Sequence, residues 1–178
     1  MCGMTGVWCS VQQDRLESIT RTMTTTIQHR GPDDSGVWVD DSIGLGLGHR
    51  RLSILDLSLA GHQPMHSSCD HYVIVFNGEI YNHLDLRKQL SVDSRQRQWK
   101  GHSDTETLLA CFEAWGIEQT LAKTVGMFAL ALWDKQKRKL YLARDRLGEK
   151  PLYYSDSSSS NGFVIFGSEI SIIKSHPS

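Results

Sequence analysis

The residues most able to do chemistry stand at the start of the chain, Met1-Cys2-Gly3-Met4-Thr5-Gly6. Methionine aminopeptidases remove a leading methionine when the next side chain is small, and cysteine is small enough. Cys2 would then carry a thiol and a free α-amine on one residue. A thiol titrates near about 8.5 and an α-amine near about 8, so the amine can take the thiol proton at neutral pH. Nucleophile and general base would come from a single amino acid. Gly3 and Gly6, lacking a Cβ, are expected to leave room beside the sulfur. Taken alone, the same residues also fit an ordinary second residue at a frayed terminus.

The chain has 178 residues, 22% charged and 39% hydrophobic, with a formal net charge of −1. That is enough for one sizeable core, and the near-neutral balance gives no electrostatic footprint for nucleic acid or an anionic membrane. No apolar run approaches the ~20 residues of a membrane-spanning helix, and the first residues lack the basic-then-apolar pattern of a signal peptide. The four cysteines, Cys2, Cys9, Cys69 and Cys111, form no CxxC pair. They read as reduced thiols of a cytoplasmic protein. The eight histidines are scattered without metal-ligand spacing, so no metal site is expected.

Several elements must position these groups. Gly3 to Cys9 reads as a strand. Leu16, Ile19, Met23 and Ile27 fall at helical spacing within 14–28, although the β-branched run Thr24-Thr25-Thr26 weakens that helix. His29 to Gly36 reads as a loop by its Gly and Pro. The alternating glycines 44, 46 and 48 mimic a phosphate loop, but no helix follows them; they read as one strand face against which another backbone packs closely. Tyr72 to Phe76 is apolar on both faces, as in a strand covered on both sides, with Asn77-Gly78-Glu79 expected to break it. Helices are expected over 82–90 and from Ser103, where Ser103 and Glu106 match a capping box. Strands follow at 127–133, 139–144, 152–154 and 163–166, with a flexible serine tip at 157–160.

Five stretches then align: Cys2-Gly3-Met4-Thr5-Gly6, His29 to Gly36, His49-Arg50-Arg51-Leu52-Ser53-Ile54-Leu55-Asp56, Phe76-Asn77-Gly78-Glu79-Ile80-Tyr81-Asn82 and Ser103-Asp104-Thr105-Glu106. In that order and spacing the chain resembles the glutaminase domain of the class II glutamine amidotransferases, most of all the asparagine synthetase branch. Gly126 to Ala129 and Arg144 to Gly148 extend the match, which covers 1–178 as one domain. The resemblance implies an α+β fold, the N-terminal-nucleophile αββα sandwich of two mainly antiparallel sheets. It also implies hydrolysis of L-glutamine to glutamate and ammonia through a γ-glutamyl thioester on Cys2.

By the same resemblance, Asn77 and Gly78 supply the oxyanion donors, the glycine letting the backbone approach the substrate. Arg51 takes the α-carboxylate and Asp104 the α-ammonium, while Leu52, Ile54, Leu55 and Glu79 form pocket wall or backbone contacts. Read without it, Arg51 is equally a surface charge and Asp104 a helix-start residue. His29 and His49 are expected to be structural, and Arg30 to brace the nucleophile. No cofactor is implied for this domain. ATP and magnesium are expected only in a C-terminal synthetase domain or partner that receives the ammonia, whose Ser-Gly-Gly-x-Asp-Ser loop does not occur in the sequence. The resemblance leaves room for a homodimer. The alternatives are the glutaminase domain of a sugar- or carboxylate-amidating enzyme, or a degenerate, non-catalytic glutamine-binding module.

Overall fold

In chain order the elements are β1 (Gly3–Cys9), α1 (Leu16–Thr26), β2 (Asp34–Asp40), β3 (Leu45–Arg51), β4 (Met65–His66), β5 (Tyr72–Ile80), α2 (His83–Asp93), α3 (Asp104–Trp115), α4 (Ile117–Lys123), β6 (Gly126–Asp134), β7 (Lys139–Arg144), β8 (Tyr153–Asp156), β9 (Phe163–Gly167) and α5 (Ile170–Lys174). They come from a computed structural model that describes residues 1–9, 15–53, 58–93, 98–157 and 162–176. One sheet runs β2-β3-β1-β9-β8 and the other β4-β5-β6-β7, with every pair antiparallel.

Period-two alternation builds four layers from these sheets. Met4, Leu45, Leu47, Val73, Val75, Ala129, Ala131, Trp133 and Phe166 meet between the sheets. The opposite faces of β5 and β6, including Ile74, Phe76 and Leu130, pack on Leu86, Leu108 and Phe112 of α2 and α3. Val7 and Ile165 of the first sheet pack outward on Leu16, Met23 and Ile27 near α1, and on Ile172 of α5. β5 and β6 therefore read as continuous apolar runs because both their faces are covered.

The alternating glycines bring α1 onto β3. A Cβ on Gly46 would stand 2.0 Å from Thr20 Oγ1, and one on Gly48 would stand 2.0 Å from Thr24 Oγ1. Those hydroxyls donate to the carbonyls of Leu16 and Thr20, four residues back, so buried polar atoms in α1 are satisfied inside the helix. The threonine run thus stays helical to Thr26.

Other expectations needed correction. Asn77-Gly78-Glu79 does not break β5, which continues to Ile80 because β6 pairs with all three residues. The 29–36 loop ends early, since Asp34 already pairs with Arg51 in β2–β3. The capping box is half formed. Ser103 Oγ accepts from Glu106 N at 3.2 Å, but the Glu106 carboxylate accepts from the backbone of Lys100 and Gly101 instead. Strands β2 and β4 and helices α4 and α5 had no clear sequence signal; Gly116, at φ 77°, separates α4 from α3. The serine tip lies largely outside the described residues.

Candidate active site

The alternation that fills the core also delivers the site. On β3, Leu45, Leu47, His49 and Arg51 share the face turned toward the second sheet, so the row of core positions ends in a guanidinium. Residue 2 continues the row of Met4 on β1, and Asn77 continues the row of Val73 and Val75 on β5. The three rows converge where the space between the sheets opens.

The Cys2 thiol lies against the backbone of one residue, Leu52. Leu52 N–H donates to Sγ at 3.4 Å, and the thiol reaches Leu52 O at 3.6 Å. Arg30 braces the residue, its Nε donating to Cys2 O at 3.0 Å, while its Nη1 pairs with Glu169 at 3.0 Å. His29 Nε2 approaches the same carboxylate at 2.9 Å. Burial works to raise the Glu169 carboxyl, but hydrogen bonds from His29 and Arg30 outweigh it and hold it below its usual range. The two nearby glycines serve packing and not substrate access: a Cβ on Gly3 would meet Ile27 at 2.8 Å, and one on Gly6 would meet the Phe166 ring at 2.1 Å.

His49 does not pair with the thiol. Its Nε2 donates to Phe76 O at 3.0 Å, tying β3 to β5, and burial pushes the ring down to about 4 despite that bond. Arg51 is buried, not a surface charge. Its Nη1 donates to Ser58 O at 2.9 Å, and Gly61 leaves the space its other end needs, since a Cβ there would stand 2.0 Å from Nη2.

One edge of β5 carries a row of outward N–H groups. Phe76 N–H goes to Gln63 Oε1 at 2.7 Å and Ile80 N–H to Asp104 Oδ2 at 2.8 Å. Gly78 lies between them on the same edge by alternation. Its partner Phe128 spends both backbone groups on Asp145, which marks Gly78–Phe128 as a pair without cross-strand hydrogen bonds. The glycine is required by β6, because a Cβ would stand 2.3 Å from Met127 O. Beside it, Asn77 is buried and its Nδ2 has no hydrogen-bond partner among the described residues. An orphaned buried donor costs about 1–3 kcal/mol and calls for an explanation.

Asp104 opens α3, where Ser103 caps the helix and the α3 dipole favours a negative charge. Burial nevertheless raises the Asp104 carboxyl above its ordinary value, only partly offset by the Ile80 N–H, by His83 and by its neighbour Thr105. The carboxylate is desolvated, and no cation pairs with it among the described residues.

Cys2, Arg51, Leu52, Asn77, Gly78, Glu79 and Asp104 all line one cavity of about 190 Å³. Ile54 and Leu55 lie outside the described residues. Gln63, Gly61 and Lys150 belong to the same cavity and carried no sequence signal, since each acts through a contact that only the fold creates. The cavity brings together a thiol, a cation, a desolvated anion and unclaimed donors.

A family model described as a glutamine amidotransferase domain matches residues 1–178. The chain belongs to that family. Asparagine synthetase (glutamine-hydrolyzing) 3 of Bacillus subtilis is 41% identical over 181 residues, covering 99% of this chain and 28% of that protein. Asparagine synthetase (glutamine-hydrolyzing) 1 of the same organism is 41% identical over 172 residues, 95% of this chain and 26% of the relative. Amidase chry2 of Gibberella zeae is 40% identical over 134 residues, 75% of this chain and 19% of the relative. This glutamine amidotransferase domain thus spans under a third of the length of these relatives. The solved glutamine phosphoribosylpyrophosphate amidotransferase from B. subtilis superposes with a TM-score of 0.76 at 21% identity, over 97% of this chain and 43% of that one. The shared fold is the expected N-terminal-nucleophile sandwich. No helix among the described residues is long and apolar enough to cross a membrane.

Proposed function

We propose that this glutamine amidotransferase domain hydrolyses L-glutamine through a thioester on Cys2, after Met1 has been removed. The observation that carries the reading is the unclaimed Asn77 amide, buried in the cavity that also holds the Cys2 thiol. Arg51 takes the substrate α-carboxylate in a charge-assisted pair, and Asp104 takes the α-ammonium, regaining the solvation that burial removed. This places the side-chain amide beside Sγ. The freed Cys2 α-amine accepts the thiol proton, and sulfur attacks the γ-carbonyl carbon. The resulting oxyanion receives hydrogen bonds from Asn77 Nδ2 and Gly78 N–H. The amine then passes its proton to the leaving nitrogen, the C–N bond breaks and ammonia departs. Water attacks the thioester carbonyl, and glutamate leaves with the sulfur restored.

The ammonia serves an amidation carried out by the remainder of a longer, asparagine-synthetase-like protein, with aspartate as the acceptor. What supports this part is the naming of relatives that cover nearly the whole chain. An ammonia-release assay, paired with intact-mass measurement, tests the hydrolytic half. Activity is expected only in material that has lost one methionine, and full turnover by protein retaining Met1 would remove the α-amine from the mechanism. Cys2→Ala is expected to release no ammonia while still binding glutamine by calorimetry.

A further inference from the structure

Lys150 follows the turn after β7 and is buried to 7% relative exposure in the active-site cavity. A buried lysine is ordinarily paired with a carboxylate. Among the described residues the ammonium reaches only the thioether of Met1, with Nζ 3.4 Å from Sδ, and no carboxylate lies within ion-pair distance. The loop places the residue firmly: Asp145 accepts from Lys150 N at 3.0 Å, and Lys150 O accepts from Arg144 Nε at 2.7 Å. A weak, neutral acceptor therefore covers a desolvated cation, and the acceptor belongs to the residue whose removal frees the Cys2 amine.

The other charges around the cavity are accounted for. Arg30 is held by Glu169, and His49 is buried and neutral at pH 7. In the proposed reaction Arg51 and Asp104 each meet an opposite charge on the substrate. Glu79 lines the cavity without an ion pair to Lys150 among the described residues. Among the described residues Lys150 is left as the uncompensated cation of the cavity.

We propose that Lys150 is a positioning residue that keeps the freed α-amine of Cys2 in its neutral form, ready to accept the thiol proton. The inference rests on the hydrolytic reading above. Met1 Sδ is five covalent bonds from Cys2 N, roughly 6 Å at full extension, so the ammonium and the amine lie within about 10 Å of each other. Two cations in one partly desolvated cavity disfavour each other. The weaker base gives up its proton, and an α-amine near about 8 is weaker than a lysine amine near about 10.4. The transfer balances within Cys2, whose amine takes the thiol proton and hands it to the leaving nitrogen.

The test reads the amine directly. In the Met1-processed Cys2→Ala background, which has no thiol and no turnover, the rate of competitive acetylation of the N-terminal amine is followed against pH by mass spectrometry. Lys150→Met and Lys150→Gln are each expected to raise the amine's titration midpoint by about one unit, a drop of roughly five- to tenfold in free base at neutral pH. Lys150→Arg should match the parent. Loss of packing alone would not give this dependence on charge. Equal midpoints in the parent and Lys150→Gln would overturn the assignment. A charge-dependent midpoint in that background, alongside no ammonia release by the processed protein with Cys2 intact, would leave the assignment standing and overturn the hydrolase reading alone.

Discussion

His49 on β3 and Phe76 on β5 are joined by a 3.0 Å hydrogen bond across the interior, from a ring nitrogen to a backbone carbonyl. That bond links the strand ending in Arg51 to the strand carrying Asn77 and Gly78. Because a carbonyl can only accept, Nε2 carries the proton.

The burial of His49 predicts an acid limit to stability. A ring held at about 4 when folded and near 6.5 when unfolded is stabilising as the neutral form above 6.5, and that contribution disappears as pH falls toward 4. The loss amounts to about 3 kcal/mol. Urea unfolding at pH 7 and at pH 4 should show it. His49→Gln should be less stable at pH 7 yet lose less on acidification; an unchanged slope would assign the acid sensitivity elsewhere.

In the proposed reaction Asp104 trades stability for binding. Its carboxyl is raised by burial, so the ionised form weakens the fold at neutral pH, while below about 3.9, where both folded and unfolded forms are protonated, the penalty is absent. Asp104→Asn should raise Tm at pH 7, with the gain shrinking toward pH 4, and should lose most glutamine affinity by calorimetry. A variant that bound glutamine as tightly as the parent would remove Asp104 from the α-ammonium site.

Asn77→Ala separates chemistry from binding. The Nδ2 it removes has no partner among the described residues, so stability should hold or rise slightly. Loss of one oxyanion donor should lower kcat by about 10² to 10³ with little change in KM. An equal fall in thermal stability would point to a structural amide instead.

Gly61→Ala addresses the cation's seat. The added carbon would meet the mobile end of Arg51 rather than backbone, so the fold should survive while the guanidinium moves. KM for glutamine should rise at least tenfold with kcat nearly unchanged, since uniform binding is what is lost. Gly78→Ala, which drives a carbon to 2.3 Å from Met127 O in the neighbouring strand, should cost stability instead; thermal unfolding of the pair discriminates the two mechanisms.

Strands whose apolar positions alternate or run continuously were legible in the sequence, because periodicity is what the four-layer core selects. Cys2, Arg51, Asn77 and Asp104 were legible as members of motifs, and the cavity does gather them. The close-packing role of Gly46 and Gly48 was legible, whereas that of the glycines near the site was not. Gly3, Gly6 and Gly78 suggested open space near a substrate, yet each is required by a neighbour distant in sequence: Ile27, Phe166 and Met127. Gln63 and Lys150 were missed for the same reason, since no local pattern announces an amide that caps a strand edge or a lysine that meets Met1. Short helices such as α4 and α5 have too few turns to show a period.

The four cysteine side chains differ sharply in their surroundings, and this makes the protein selectively addressable by reagents. Cys9 and Cys111 are buried, and burial also pushes the Cys9 thiol up; Cys69 is exposed, and Cys2 is half-buried in the cavity. A small alkylating agent should therefore modify Cys69 first. A haloketone built on an α-amino acid skeleton, with its electrophilic carbon where glutamine carries its amide, should reverse that order by docking its head group between Arg51 and Asp104. One reagent would count the folded, processed sites in a preparation and the other would count exposed sulfur, giving a stoichiometric titration of competent molecules that needs no catalytic assay.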